Sequence, residues 1–315
     1  MKDTKIPVII DHDGSADDFL SLVLLLSMEQ YDVKAITITP ADCYIENALE
    51  TTLKILKKAG RNDIPVGISY CRGENSFPAD WRAKPKILNA LPDLINVEVT
   101  STLANHKNAV DLIIETLIAS DDKAKILMTG PCTNLTDALT KRPSIKEKIN
   151  EVVWMGGAFR VRGNVVTYNH DNSAEWNVFW DPKAAAKMLD FNLPLTFIPL
   201  DVTNHVPVTL DFLKELAKFN DILWARLACQ FWATTLDTVP SYEYTYFMWD
   251  VLATSYLGIP DAFEVQENME CVIESSGPSA GRTSIEKGTG KYAHIAIDVD
   301  KAKFYNYVLK AFIEF

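Results

Sequence analysis

VIIDHDGSADDF, residues Val8 to Phe19, runs from an apolar stretch into four aspartates within eight residues: Asp11, Asp13, Asp17 and Asp18. The apolar run Ile6 to Ile10 reads as a short buried strand. Gly14 and Ser15 supply turn chemistry, and the FLSLVLLLSM that follows is long enough for a buried helix. The carboxylates therefore fall on a strand-to-helix turn, the edge at which open α/β sheets bind ligands. Like charges this close raise one another's pKa unless a hard divalent cation takes them up, Ca²⁺ and Mg²⁺ being the usual candidates. The competing reading is structural: Asp17 and Asp18 cap the helix, since acidic groups favour the positive end of its dipole.

Outward from this turn the same rhythm repeats. Val33 to Thr39 reads as a second strand, Ile45 to Lys58 as a helix and Pro65 to Ser69 as a third strand. CRGENSFPADWRAKPK follows as a polar loop carrying Trp81, of the kind that forms lids at a ligand edge. Asn108 to Ser120 is helical, Lys125 to Gly130 a strand ending in Thr-Gly-Pro, and TNLTDALTK a helix. Glu151 to Gly157 and the segment from Leu195 are further strands, with a helix between them that has Asp181 as N-cap and Pro182 at its first position. Leu210 to Leu257 is mainly helical with a break at TVPSYEYTY, and strands near Val265 and Ile295 precede a terminal helix from Ala302. The expected fold is an open, mostly parallel, doubly wound sheet with helices on both faces, and residues 1–315 form one domain.

Composition narrows the function. Hydrophobic residues make up 48% and charged residues 23%, a globular balance, and no apolar stretch approaches the roughly 18 residues of a membrane span. A formal charge of -11 argues against a nucleic acid partner and suits a small neutral or cationic ligand. The five cysteines show no CxxC spacing, so neither a zinc site nor a disulfide framework is signalled, which suits a reducing compartment. MKDTK runs into the first strand without a signal-peptide core, and a cytoplasmic location is expected.

DHDGSADD resembles the DxDxxxDD opening of the nucleoside hydrolases, which cleave the N-glycosidic bond of ribonucleosides with one Ca²⁺ per active site. TGPCTN at Thr129 to Asn134, the GN pair Gly163-Asn164, AEWN at Ala174 to Asn177 and Trp249-Asp250 match further pieces in order. The resemblance spans essentially the whole chain. It implies Asp13, Asp18, the backbone carbonyl of Thr129 and Asp250 as Ca²⁺ ligands, a set of hard oxygens that suits this ion. It implies Asp17 and Asn177 on the ribose hydroxyls, Asn164 and Glu175 on the 5′-hydroxyl, and Asp11 orienting the metal site from behind. Asp13 is the candidate general base, aimed with the ion at a water that attacks the anomeric carbon. A homodimer is the expected assembly, with a purine nucleoside as the small-molecule partner.

The substrate preference is read from departures within the family. The inosine-uridine type has an asparagine where this chain has Asp42, and a histidine where it has Trp249. A histidine proton donor is thus missing, and Trp249, Trp81 and Asp42 resemble the purine-specific branch, in which two tryptophans sandwich the base and an aspartate binds its edge. Tyr246 is placed at the same mouth. Trp154, Trp180, Trp224 and Trp232 read as core, Trp176 packs either way, and His12 is expected on the opposite strand face from Asp11 and Asp13. DHDGS also resembles the aspartyl-phosphate motif of haloacid-dehalogenase-like phosphatases, with Asp11 as nucleophile, but the later glycine-led acidic pair of those enzymes is absent. A nucleoside sensor would share the binding residues and bind without turnover.

Overall fold

The Val8–Ile10 run is buried on both sides because its side chains alternate between two cores, with Val8 and Ile10 on one face of a sheet and Ile9 on the other. The computed structural model describes residues 5–236 and 245–315. Among these, the strands are β1 (Ile6–His12), β2 (Tyr31–Ile38), β3 (Val66–Ile68), β4 (Lys107–Asn108), β5 (Ala124–Met128), β6 (Ile149–Met155), β7 (Leu195–Ile198), β8 (Phe263–Ile273), β9 (Thr283–Ile285) and β10 (Tyr292–Val299). They form a single sheet in the order β4-β3-β2-β1-β5-β6-β7-β10-β8-β9. All neighbours from β4 to β10 pair in parallel, while β8 and β9 extend that edge antiparallel.

The strand order reverses between β1 and β5, where Asp11 stands in register with Met128. A topological switch point of this kind opens a crevice beyond the carboxyl ends of the two strands. One core packs helices Ala16–Leu26, Leu223–Leu236, Trp249–Gly258 and Lys301–Glu314 against one face of the sheet, and the other packs Ala109–Ala119, Thr133–Lys141 and Pro182–Asp190 against the opposite face. Among the described residues no helix is long and apolar enough to cross a membrane.

One local expectation changes. The Trp81 segment is not a plain loop: Pro78 precedes a short helix Ala79–Arg82, and Lys84–Asn89 forms a second with Pro85 in its first turn, where proline's fixed φ is accepted. Pro143–Lys148 forms a tight helix that passes directly into β6 at Ile149. The break read at TVPSYEYTY lies outside the described residues as far as residue 244.

Candidate active site

Beyond His12 the chain reverses at Gly14, whose φ is +86° and where an added Cβ would lie 2.8 Å from the Cβ atoms of both Cys43 and Ala48. Ser15 then caps helix Ala16–Leu26. Its Oγ accepts the Asp18 N–H at 3.3 Å, and its own N–H donates to Asp18 Oδ2 at 2.7 Å. The box spends one Asp18 oxygen and leaves Oδ1 buried without a partner. Asp13, also buried, accepts the Asp42 N–H on Oδ2 at 3.3 Å. Gly130 passes so close that a Cβ there would sit 2.7 Å from the Asp13 Cβ, which explains a glycine after Thr129.

The other members of the acidic turn face away from the crevice. Asp11 Oδ1 accepts Thr37 Oγ1 at 2.8 Å, Asn134 Nδ2 at 3.0 Å and Thr39 Oγ1 at 3.4 Å, so it braces β1, β2 and the TGPCTN turn from behind. A nucleophile so enclosed has no access to a phosphate ester, which removes the phosphatase reading. His12 projects to the opposite core, where Nε2 meets Thr52 Oγ1 at 3.2 Å, and burial pulls its pKa down to about 4. Asp17 is fully buried. Its Oδ2 accepts the N–H groups of Asp250 and Val251 at 2.6 and 3.2 Å, and Trp232 Nε1 donates to Oδ1 at 3.2 Å. Asp17 therefore caps helix Trp249–Gly258 rather than lining the crevice, and by doing so holds Asp250 opposite Asp13. The capping alternative describes part of the truth for both acids, one within its own helix and the other across 233 residues.

The crevice itself is a cavity of about 420 Å³. Asp13, Asp42, Thr129, Glu175, Asn177, Asn164 and Asp250 all line it. Glu175 caps helix Trp176–Trp180: Oε1 accepts the Asn177 N–H at 2.9 Å, and Oε2 accepts those of Gly157 and Val178 at 3.1 and 3.3 Å. Burial nonetheless pushes its pKa up to about 7. Asn177 Nδ2 donates to the carbonyls of Thr129 and Met155 at 2.9 and 3.1 Å, and Asn164 Oδ1 accepts the Trp176 N–H at 3.1 Å. The two amides and the carboxylate are thus locked to backbone where they line the cavity.

The remaining wall is aromatic. Trp81 meets Trp176 edge-on with ring centroids 5.7 Å apart, and Phe77 packs against Trp176 at 4.9 Å. Tyr246 and Trp249 form a second group at 4.6 Å, also edge-on, joined by Phe247. Both groups line the cavity, and no histidine does among the described residues. Trp154, Trp180, Trp224 and Trp232 are core. Trp176, from within AEWN, joins the lining, and Phe77, Lys84, Asn204 and Thr235 join it without a motif to announce them, although the run FPADW does place an aromatic four residues before Trp81.

Charge decides what such a cavity wants. Desolvation first, and the Asp18 carboxylate second, push the pKa values of Asp13, Asp42 and Asp250 well above the ordinary range. Arg82 offsets this in part for Asp42 alone. Among the described residues no three acidic, histidine or cysteine side chains gather into a compact metal cage. The fit to a cation rests instead on the donor set: buried, mutually repelling oxygens, an unpartnered Asp18 Oδ1, and a main-chain carbonyl at Thr129. Those are hard donors suited to Ca²⁺ or Mg²⁺ and unsuited to soft metals.

Fold and pocket together define an open-sheet α/β protein with an acid-floored, aromatic-walled small-molecule site at its switch point. Residues 8–306 match the family model described as inosine-uridine preferring nucleoside hydrolase, and the chain belongs to that family. It is similar to the crystal structure of an inosine-uridine preferring nucleoside hydrolase from Bacillus anthracis, with 37% identity, a TM-score of 0.91, and 98% of this chain and 100% of that one covered. A purine-preferring ribonucleoside hydrolase from Gardnerella vaginalis is 25% identical with a TM-score of 0.81, covering 98% of each chain. Among curated proteins, the pyrimidine-specific ribonucleoside hydrolase RihB of Escherichia coli O1:K1 is 29% identical over 96% of this chain and 95% of its own length.

Proposed function

We propose that this nucleoside hydrolase acts on purine ribonucleosides, releasing free base and ribose, with Ca²⁺ as its metal ion. The observation that carries the reading is a cavity with aspartates on its floor and Trp81 and Trp249 in its aromatic walls, with no histidine among the described lining residues. Asp13, Asp18, the Thr129 carbonyl and Asp250 would hold the ion. When bound, it neutralises the crowded acids and makes a nearby water easier to deprotonate. Asp13 takes the proton of the attacking water as charge develops on an oxocarbenium-like sugar. Glu175, Asn164 and Asn177 fix the ribose, each held by the backbone bonds described above.

A leaving purine must gain a proton. Between indole faces a flat cation is favoured by about 0.5 to 2 kcal/mol per face, so stacking raises the base's own pKa and solvent delivers the proton to its imidazole ring. Asp42 holds the base edge, and Tyr246 borders the same mouth. Pyrimidines lack that ring. The likeness to RihB and to the Bacillus anthracis protein favours a second reading, a broad or pyrimidine-active hydrolase. Reducing-sugar release from inosine, adenosine, guanosine, uridine and cytidine, before and after exhaustive chelation, separates them. Purines cleaved much faster, with activity lost on chelation and regained with Ca²⁺, is the expected result. Equal rates on uridine and inosine overturn the purine assignment, full activity of metal-free protein overturns the metal, and saturable binding without turnover identifies a sensor.

A further inference from the structure

The Trp81 segment leaves the sheet after β3, and its far end is held by polar contacts that the cavity does not use. Asp93 follows helix Lys84–Asn89 and receives both prongs of one guanidinium: Arg226 Nε donates to Oδ2 at 2.9 Å and Nη2 to Oδ1 at 2.8 Å. Gln230, one turn along the same helix, donates Nε2 to Asp93 Oδ2 at 2.8 Å. Arg226 Nη1 is itself fixed on the Asn220 carbonyl at 2.6 Å. A single surface ion pair is worth little, but a two-pronged contact with a third donor fixes angle as well as distance. The Asp93 side chain is only 13% exposed, so screening by water is limited. Lys84 adds a further link by donating to the carbonyl of Thr234.

Apart from the Asn220 contact, these links join two bodies. One is the Ala79–Asn89 helix pair that carries Trp81, with Asp93 in the turn just after it, and the other is helix Leu223–Leu236, whose Thr235 lines the cavity. The other side of the pair is pinned separately by Asn89, which bonds Thr51, Asn47 and Glu50 of helix Ile45–Lys58. Trp81 itself has only tilted or edge-on contacts with Phe77 and Trp176, so its place in the wall depends on where its backbone is anchored.

We propose that Asp93 and Arg226, with Gln230, are positioning residues for the nucleobase wall, setting the separation between the Trp81 helix and helix Leu223–Leu236. This rests on the reading of Trp81 as a base contact. The guanidinium fork makes the spacing specific, because lysine could keep the charge but not the two parallel bonds.

The test uses full-length protein with Asp93→Ala, Arg226→Ala and the double variant. Each is assayed on inosine and on 4-nitrophenyl riboside, whose leaving group needs no stacking to depart. Each single variant should lower kcat/KM for inosine about tenfold, short of the roughly 10²-fold loss that follows misplacement of reacting groups. The double variant should be no worse than Asp93→Ala alone, since that variant already removes the Arg226 contact. The rate on 4-nitrophenyl riboside should stay within about twofold, because Trp81 does not touch the reacting sugar carbon. Equal losses on both substrates, unchanged inosine kinetics or additive losses overturn the proposal. Hydrogen exchange supplies an arm independent of substrate: amides of residues 79–89 should exchange faster in either single variant, and unchanged exchange there overturns the clamp. A wild type that prefers uridine defeats the purine reading alone, and the exchange arm then decides the clamp by itself.

Discussion

Gly130→Ala is the sharpest test of how the floor of the cavity is built. The new methyl would stand 2.7 Å from Asp13 Cβ, 3.0 Å from its Cγ and 3.1 Å from its backbone nitrogen. Ordinary van der Waals contact begins at 3.4 Å, so the two segments must part by up to 0.7 Å. Neither strand end is loose: the Thr129 N–H donates to the Asp11 carbonyl at 2.9 Å, and Trp154 Nε1 donates to the Gly130 carbonyl at 2.9 Å. The displacement therefore falls largely on the Asp13 carboxylate. Overpacking of this kind costs about 1 to 3 kcal/mol of stability, which a well-buried sheet tolerates. Misplacing Asp13, the proposed base, by most of an ångström should lower kcat by roughly 10- to 100-fold. Initial rates of ribose release at saturating inosine, beside a thermal unfolding curve, measure the two effects separately. A folded Gly130→Ala protein with kcat within a factor of two of wild type would refute the placement of Asp13 at the chemical centre.

Asp13→Asn should cut turnover by about 10² to 10⁴-fold when metal content, measured directly, is unchanged; a near-normal turnover number would rule out Asp13 as the base. Asp17→Ala strips two backbone N–H groups and an indole N–H of their acceptor and should cost about 2 to 3 kcal/mol, read as a lower Tm; an unchanged Tm with a raised KM would put Asp17 on the sugar instead. Trp249→Ala should slow purines far more than uridine, and unchanged inosine kinetics would defeat the stacking argument. Adding Ca²⁺ to chelated protein should raise Tm, since it relieves repulsion among Asp13, Asp42 and Asp250, and Asp18→Asn should reduce that gain by weakening the site.

The parallel sheet and the position of the crevice were legible because they are written in local periodicity: an apolar run, a turn and a helix pattern, repeated. Asp13, Thr129, Asn177 and Asp250 could be assembled in advance only through the resemblance, since nothing in their spacing brings residue 13 beside residue 250. Asp17 shows the limit. Its neighbour Asp18 caps the helix they share, whereas Asp17 caps one formed far along the chain, and no local pattern distinguishes the two carboxylates. Trp176 and Phe77 were illegible for a related reason, as an aromatic becomes cavity wall or core according to what packs behind it. The helices around Trp81 were hidden because that stretch is short and polar and carries Pro78, Pro85 and Pro92.

The cap that Asp17 places on helix Trp249–Gly258 also sets an order of assembly. Strands β1 to β7 lie within the first 198 residues and pair mostly with near neighbours, so the scaffold can form while much of the chain is still unmade. Asp17 must wait for Asp250 and Val251, and closing so long a loop is entropically costly until the sheet has already brought the ends together. The site is consequently a late product of folding. A chain cut before Trp249 would retain β1 to β7 and the acidic turn but lack β8 to β10, two of the helices that cover one sheet face, Asp250 and the backbone donors that Asp17 accepts, so its failure to hydrolyse nucleosides would arise from an unfinished floor rather than from any missing residue of the acidic turn.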